Sequence, residues 1–281
     1  MGYNILMPEL PEAETICRSL KPEIKGRVIT GIKLLWPPLL RETQASALDH
    51  WLGARLIDIR RRGKMILLDI DDQETMLIHL KMTGQLFLVS VKEPVDKHTR
   101  LILRLDEGQW ELRFRDPRKF GYIKIFKTFE ESQTPPLNEL GPEPLTLSAS
   151  DFVNLFRKFK GKIKSLLLRQ NFIAGLGNIY TDEILHQAKI NPERLSNSLS
   201  NQELIRLYWA MIKILNRAIE YRGTSVRDYR DGRREAGDFQ NHLRVYGREG
   251  ERCFRCHGLI LRKKIGGRSA FFCPQCQPAL V

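Results

Sequence analysis

The chain of 281 residues carries a formal net charge of +13, with 46 Lys and Arg against 33 Asp and Glu. Hydrophobic residues make up 42% and charged residues 28% of it, which is typical of a soluble globular protein with a sizeable core. The sequence has no run of about 18 apolar residues, so it predicts no membrane-spanning helix. Residues 222–281 alone hold 13 Lys and Arg against 6 Asp and Glu. This basic surplus predicts a polyanionic partner, most simply nucleic acid, although a basic protein without such a partner could have the same composition.

The first half of the chain combines one predicted helix, Pro11 to about Glu23, with a long β-rich segment. Residues 27–127 contain short runs of β-branched or alternating apolar residues separated by Asp, Glu and Gly, a pattern typical of a sandwich or barrel-like domain. The predicted strands are Val28–Thr30, Leu56–Ile59, Met65–Ile70, Leu101–Leu105, Trp110–Phe114 and Tyr122–Phe126. Asp106-Glu107-Gly108-Gln109 is the predicted hairpin loop between the fourth and fifth of these strands.

The second half is predicted to be helical after a proline-rich boundary at Pro135-Pro136 and Pro142–Pro144. The predicted helices are Asp151–Lys160, Lys162–Gln170, Ile179–Ala188 and a long one ending near Tyr221. Ser200-Asn201-Gln202-Glu203 is a capping box that opens the last helix. The glycine-rich turn Ala174–Asn178 lacks the preceding strand and the full spacing of a dinucleotide-binding fingerprint, so we reject that function.

Four of the five cysteines form two pairs, Cys253-x-x-Cys256 and Cys273-x-x-Cys276, separated by sixteen residues. Two such pairs at this spacing are typical of tetrahedral zinc. Because four sulfur ligands leave no open coordination position, the sequence predicts one structural Zn²⁺ ion. A redox dithiol is the alternative, although a single active pair would suffice for that chemistry. Cys17 stands alone in the first helix and is expected to be a buried structural thiol, and this cysteine usage favours a reducing, intracellular location.

The segment between the two cysteine pairs predicts a β-hairpin. Leu259–Lys264 and Arg268–Phe272 have strand character and flank Gly266-Gly267. The hairpin would have a basic face and, taken alone, would be a small binding module.

The stretch Met7-Pro8-Glu9-Leu10-Pro11-Glu12-Ala13-Glu14 opens the first helix. A proline in the first turn and acidic residues near the positive end are sufficient for an ordinary helix start. A second interpretation is chemical. If Met7 were the initiator and were removed, Pro8 would have a free secondary amine beside the carboxylate of Glu9. An α-amine titrates near pH ~8, well below lysine at ~10.4, so it can attack carbonyl carbons at neutral pH while a carboxylate transfers the proton.

This stretch resembles the start of the formamidopyrimidine-DNA glycosylases, a bacterial family that excises oxidised purines through an N-terminal proline. The resemblance extends along the chain from Met7 and implies an α+β multidomain fold. It would comprise an N-terminal catalytic β-sandwich with flanking helices over 8–134, a linker over 135–148, a helix–two-turn–helix DNA-binding domain over 149–240 and a zinc-finger β-hairpin over 241–281. Residues 1–7 depart from the family pattern, because Pro8 is a tertiary amide while they are attached. We expect translation to start at Met7. Cleavage of the extension or loss of the family's chemistry are the other outcomes.

The resemblance implies catalytic roles for four residues. Pro8 would attack the sugar C1′, and Glu9 would manage protons during base loss and ring opening. Lys64 would bind phosphate and donate a proton during elimination. Arg268, at the tip of the zinc-finger hairpin, would bind phosphate and assist δ-elimination. Without the resemblance, Lys64 and Arg268 would be interpreted as surface or turn cations.

The resemblance also implies DNA contacts by His98, Lys160, Lys164 and Asn178. Asn178 would hold the phosphates that flank the lesion, since it opens a helix after two glycines and a helix N-terminus attracts anions. An ordinary joint between two helices is the alternative interpretation of this turn.

Three further residues match the family positions that fill the space left by an extruded base: Met82, Arg118 and Phe120. An enzyme that acts on a base in duplex DNA must flip it out, at a cost of about a few kcal/mol, and apolar wedges replace the lost stacking. Arg118 would also donate to the unpaired opposite base and favour cytosine. Core packing is the alternative for Met82 and Phe120.

The polar stretch from Gly223 to about Phe239 resembles the loop that closes over the damaged purine. The chain is therefore expected to be a monomeric bifunctional DNA glycosylase and abasic-site lyase of base excision repair, located in the bacterial cytoplasm at the nucleoid. Its partner would be double-stranded DNA that contains oxidised bases or abasic sites. The alternatives are an endonuclease VIII-like glycosylase for oxidised pyrimidines and, if residues 1–7 are retained, a non-catalytic zinc DNA-binding protein.

Overall fold

The structure is a computed structural model that describes residues 7–106, 108–225 and 229–279. The expectation for Met1–Leu6 lies outside the described residues. Contacts divide the chain into two compact units, Met1–Asn138 with Tyr221–Asp238, and Glu139–Glu220 with Phe239–Val281. Residues 221–238 group with the first unit and not with the helices that precede them, and residues 239–281 group with those helices.

The first unit is a β-sandwich flanked by the helix α1 (Leu10–Ile24), as predicted. The strands are β1 (Ile29–Leu34), β2 (Leu56–Arg62), β3 (Met65–Ile70), β4 (Glu74–His79), β5 (Gln85–Ser90), β6 (Thr99–Leu105), β7 (Trp110–Arg115) and β8 (Tyr122–Lys127). They form two antiparallel sheets, of order β1-β6-β7-β5 and β2-β3-β4-β8. One cluster of buried apolar residues combines α1 with both sheets, so the core lies between them.

The sequence did not predict β4 and β5. Every residue of β4 is buried, including Glu74, Thr75 and His79, so polar side chains at both ends leave an apolar run of three residues, too short to recognise as a strand. In β5, four apolar residues, Leu86 to Val89, follow one another without the alternation used to recognise strands.

The strand registers place several loops at the same end of the first unit. In one sheet, Gln85 and Thr99 both pair with Arg115. In the other, Met65 and Tyr122 both pair with His79.

Two short loops cross between the sheets at this end. Residues 80–84 lead from β4 to β5, and residues 116–121 lead from β7 to β8. The turn before β3 holds Lys64, and the turn before β6 holds His98. The loops of Lys64, Met82, His98 and Arg118 are therefore neighbours, although they are spread over 55 positions of the sequence.

The second unit contains α2 (Ala149–Lys158), α3 (Ile163–Leu167), α4 (Asn178–Gln187), α5 (Asn201–Glu220) and the hairpin β9 (Leu261–Ile265) and β10 (Arg268–Phe272). The predicted capping box of α5 is confirmed, since Ser200 N donates to Glu203 Oε2 at 2.9 Å and Glu203 N donates to Ser200 Oγ at 3.2 Å. α3 is shorter than predicted. The Gln170 side chain holds a turn instead, bonding the carbonyl of Leu176 at 2.8 Å and the N–H of Gly175 at 2.9 Å.

Short 3₁₀ turns complete the described secondary structure: Pro37–Leu39, Ala45–Trp51, Thr128–Gln133, Leu137–Glu139, Ser196–Ser198 and Phe239–His242. None of the helices in the described ranges is long and apolar enough to cross a membrane.

Candidate functional site

Pro8 and Glu9 lie buried at the start of α1. Glu9 is the N-cap residue, and its side chain accepts the backbone N–H of Glu12, while Glu9 N donates to Glu12 Oε2 at 2.8 Å. This reciprocal pair satisfies two N–H groups that a helix start leaves open. It also fixes the direction in which the chain enters α1, and with it the position of Pro8.

Lys64 lies at the same end of the unit as Pro8. α1 and β2 run in opposite directions, because Glu14 pairs with Arg61 at 2.8 Å and Lys21 pairs with Asp58 at 2.8 Å. The β2–β3 turn, which carries Lys64, therefore lies beside the start of α1. The Lys64 side chain is buried, unlike the surface lysine of the alternative interpretation.

Glu12 links α1 to the segment that was predicted to close over a lesion. Its Oε1 accepts the N–H of Thr224 at 2.8 Å, and its carbonyl accepts the Tyr229 hydroxyl at 3.3 Å. Gly223 has φ +80°, and a Cβ there would lie 2.9 Å from Glu12 Oε1, so only glycine fits beside the carboxylate. The centre of the predicted loop, residues 226–228, lies outside the described residues.

Asp116 organises both loops that were predicted to fill a void in DNA. This fully buried carboxylate accepts the N–H groups of Arg118 at 3.2 Å, Phe120 at 2.8 Å and Gly121 at 2.7 Å. It also accepts the hydroxyl of Thr83, the residue after Met82. The role of Asp116 was not predicted from the sequence, although an Asp before Pro in a loop is a common organiser of turns.

Four residues predicted to contact DNA surround this carboxylate. The Phe120 ring is 44% exposed, so the core-packing alternative is wrong for it, and Arg118 Cζ lies 4.6 Å from its centroid. The Met82 side chain is half-buried in the neighbouring turn. The carbonyl of His98 accepts the N–H of Asp116 at 2.9 Å, which fixes the backbone of that turn as well.

The second unit is organised by α4, whose N-terminal residue is Asn178. Asn178 Oδ1 is buried and has no hydrogen-bond partner among the described residues. Asp182 and His186 follow at intervals of four and therefore lie on the same face of the helix. Neither residue was predicted from the sequence to have a role.

Lys164 requires a correction. The resemblance implied a DNA contact, but the side chain is fully buried, with Nζ 2.6 Å from Asp182 Oδ1 and 2.6 Å from the carbonyl of Ser269. The second oxygen of Asp182 accepts the N–H of Phe271 at 2.9 Å. Burial raises the pKa of Asp182 to about 7, although the contact with Lys164 opposes this shift. Lys164 therefore attaches β10 to α4 and cannot reach a phosphate from this position.

The four clustered cysteines have the geometry of a zinc site. Their Sγ atoms all lie within 4.8 Å of one another, with 3.9 Å between Cys253 and Cys276 and 3.4 Å between Cys256 and Cys273. Tetrahedral coordination with Zn–S bonds of about 2.3 Å requires sulfur atoms about 3.8 Å apart, so the four thiolates fit one structural Zn²⁺. His186 Nε2 lies 3.5 Å from Cys253 Sγ, so the imidazole orients this cysteine, and burial lowers the pKa of His186 to about 4.

Arg268 is exposed at the start of β10, directly after a two-residue turn. Gly266 and Gly267 both have positive φ, +55° and +79°, as the tight turn of a hairpin requires. A Cβ on Gly266 would lie 2.6 Å from Ser165 Oγ, so the hairpin tip packs closely on α3. Lys160 is exposed after the end of α2.

The comparisons with known proteins match this arrangement over nearly the whole chain. Three family models match: the formamidopyrimidine-DNA glycosylase N-terminal domain over residues 7–123, its H2TH domain over 140–230, and the zinc finger found in FPG and IleRS over 250–279. The formamidopyrimidine-DNA glycosylase of Desulforamulus reducens is 44% identical over 277 residues, covering 97% of this chain and 100% of the relative.

Solved structures of the Lactococcus lactis Fpg are also similar. Its complex with DNA that contains an abasic site has a TM-score of 0.90 at 36% identity, covering 96% of this chain and 100% of that one. Its complex with DNA that contains an oxidised pyrimidine has a TM-score of 0.89 at 35% identity, covering 97% and 100%. The fold and the cysteine site thus define a zinc-finger DNA glycosylase. The chain belongs to the formamidopyrimidine-DNA glycosylase family.

Proposed function

We propose that the chain is a bifunctional glycosylase and abasic-site lyase that removes oxidised purines such as 8-oxoguanine and formamidopyrimidines from duplex DNA. The observation that carries the proposal is the placement of Pro8 and Glu9 at the capped start of α1, at the same end as the Lys64 turn. The N-terminal family match begins at residue 7, directly before Pro8, which further supports it.

The chemistry requires the free amine of a chain that begins at Pro8. The proline nitrogen attacks C1′ of the flipped nucleotide, the N-glycosidic bond breaks, and the base leaves with the bonding electrons and takes up a proton. Glu9 manages the protons during base loss and opening of the sugar ring. The resulting iminium acidifies the C2′ proton, whose loss expels the 3′ phosphate. A second elimination expels the 5′ phosphate and leaves a one-nucleotide gap.

The cations serve the leaving groups and the duplex. Lys64 binds phosphate and donates a proton during elimination, while Arg268 binds phosphate at the finger tip and assists the second elimination. Asn178 holds the phosphates that flank the lesion, through the N-terminus of α4. His98 and Lys160 contact the DNA further from the reacting sugar. The zinc ion supports the fold of the finger and takes no part in the reaction.

Met82, Arg118 and Phe120 fill the space of the flipped base. The exposed Phe120 ring and the guanidinium stacked on it support this role, because an exposed aromatic can replace lost base stacking. Arg118 donates to the orphaned base and favours cytosine there. The segment from Gly223 to Phe239 closes over the purine.

Glu9 provides the sharpest test of the catalytic proposal. Glu9→Gln should reduce excision of 8-oxoguanine by about 10²–10⁴-fold, since it removes a proton-transfer group. The matched control is Glu14→Gln, which removes a carboxylate one turn further along α1 that is bound to Arg18 and Arg61. Single-turnover excision on an 8-oxoguanine:cytosine duplex measures both variants. Equal rates for the two variants would contradict the assigned role.

An enzyme for oxidised pyrimidines is the second candidate, because a relative has been solved with DNA that contains such a lesion. Excision rates on 8-oxoguanine:cytosine and thymine-glycol duplexes separate the two candidates. Faster excision of 8-oxoguanine supports the purine enzyme, whereas faster excision of thymine glycol supports the other. A protein that binds both duplexes but cleaves neither would be a non-catalytic DNA-binding protein.

A further inference from the structure

The side chain of Tyr122 is surrounded by three basic residues of the first unit. Arg41 Cζ lies 4.4 Å from the centroid of its ring, Lys81 Nζ lies 5.3 Å from it, and the His79 ring centroid lies at 5.3 Å. We call these four residues the Tyr122 cluster. Arg41 is exposed and Lys81 is half-buried, so both cations can be reached from solvent.

None of the four members of the cluster carries a carboxylate. Within the described ranges, neither Arg41 nor Lys81 forms an ion pair, and the adjacent Glu42 is bound by Lys124 Nζ at 2.6 Å. Burial and the charge of Arg41 lower the pKa of Lys81. Like charges held together in this way repel each other, and an anion bound between them would relieve the repulsion.

The backbone holds both cations in place. Lys81 has φ +51°, the left-handed conformation that side-chain-bearing residues seldom adopt, and its N–H donates to His79 Nδ1 at 3.1 Å. Arg41 N donates to the carbonyl of Ile123 at 2.9 Å, beside Tyr122. Cations on fixed backbone lose less conformational freedom on binding than cations on mobile loops.

We propose that Arg41 and Lys81 bind phosphates of the DNA backbone beside the void-filling loops, in addition to the phosphate contacts already assigned. This inference rests on the proposed function, which supplies DNA as the polyanion. Lys81 precedes Met82 directly, and Tyr122 lies two residues after Phe120, so a duplex that receives these wedges passes the cluster. Lys119 extends the surface, with Nζ 5.7 Å from the centroid of the Trp36 ring.

The test is the salt dependence of DNA binding. Wild type, Arg41→Gln, Lys81→Gln and the double variant are titrated with a non-cleavable abasic-analogue duplex and with an undamaged duplex between about 50 and 300 mM salt. Each lost phosphate contact should reduce the slope of log affinity against log salt by about 0.9, and the double variant by about 1.8. The reduction should be equal on both duplexes, because phosphates carry no lesion information.

Two controls accompany this measurement. Lys25→Gln removes a charge from the far end of α1, about 22 Å of helix from Leu10, and should leave the slope unchanged. Arg41→Lys retains the charge and should keep the wild-type slope. A wild-type slope in the double variant, or an equal reduction in Lys25→Gln, would overturn the inference.

Failure of this inference and failure of the proposed function are distinguishable. If borohydride traps a covalent complex with normal yield in the double variant while its slope equals that of the wild type, the phosphate contact is wrong and the enzyme stands. If the wild type traps nothing but the slope falls as expected, the phosphate contact stands and the catalytic proposal fails.

Discussion

The two units position their functional residues by different means. In the first, the loops follow strands of a sandwich with a large apolar core. The carboxylate of Asp116 holds the loop in which it lies by accepting backbone N–H groups. In the second, the hairpin that carries Arg268 has one buried residue in β9. Its other strand is attached through Phe271 to Asp182, 89 positions earlier in the sequence, and through Ser269 to Lys164, 105 positions earlier. The first unit therefore depends on apolar burial with local polar organisation, and the finger depends on its metal and on α4.

Removal of zinc should produce the largest difference between the units. Cys273→Ser should lose the metal and unfold the finger, since zinc binding contributes about 10–16 kcal/mol in isolated zinc fingers. The matched control is Cys17→Ala, which removes the buried thiol of α1, whose pKa is raised by burial. Metal analysis and DNA affinity measure both variants. Retention of one zinc per chain in Cys273→Ser would contradict the assignment of the site.

Lys164→Met should be the next largest effect. The variant keeps the volume of the side chain but leaves the carboxylate of Asp182 buried without its partner, which costs about 3–5 kcal/mol. Thermal or denaturant unfolding measures the loss, and adding Asp182→Asn should restore part of it. The salt slope of DNA binding should not change in conditions where the variant is folded. A slope reduced by about 0.9 would instead support the phosphate contact that the sequence implied.

Asp116→Asn should have a smaller effect that is confined to the first unit. Its amide cannot accept from as many donors as the carboxylate, so buried N–H groups lose their acceptor at a cost of about 1–3 kcal/mol. We also expect slower excision opposite cytosine, because the Arg118 and Phe120 loop loses its support. Asp72→Asn, in the exposed turn between β3 and β4, is the control. Equal stability and activity in the two variants would show that Asp116 does not organise the loop.

At neutral pH the smallest effect is that of His79, which contributes to stability differences only under acidic conditions. Burial, with the nearby Lys81, Lys64 and Arg41, lowers the pKa of His79 to about 3. Because this folded-state pKa lies below the unfolded value near 6.5, the unfolded chain binds the proton first, and stability falls as pH drops from about 6.5 toward 3.

His79→Gln keeps an acceptor for the N–H of Lys81 but cannot titrate. As pH drops from about 6 to about 4, the unfolding free energy should fall by about 1.4 kcal/mol per pH unit less in the variant than in the wild type. Chemical denaturation across this pH range measures the difference. Parallel profiles for wild type and His79→Gln would contradict a buried, neutral imidazole.

Much of the fold followed from local patterns in the sequence. The capping box at Ser200, the hairpin around Gly266-Gly267 and the cysteine spacing each depend on residues close in sequence, and the structure confirms all three. β4 was missed because polar residues at both ends of the strand leave an apolar run of only three residues.

The candidate site was less predictable because its supports act across long sequence separations. Glu12 bonds Thr224, 212 positions away, and Lys164 bonds Ser269, 105 positions away. Nothing local distinguishes such a buried Glu or Lys from a surface residue on a helix. The sequence therefore indicated which residue types could perform the chemistry, and the structure identified which side chains hold the loops around them.

Borohydride trapping with mass spectrometry of the trapped peptide tests whether Pro8 is the nucleophile. The protein, expressed from its native start, is incubated with an 8-oxoguanine:cytosine duplex and sodium borohydride, and the adduct is digested and mapped. We expect one covalent adduct on a peptide that begins at Pro8. A chain that retains Met7, or an adduct on a lysine such as Lys64, would contradict the assignment of Pro8 as the nucleophile.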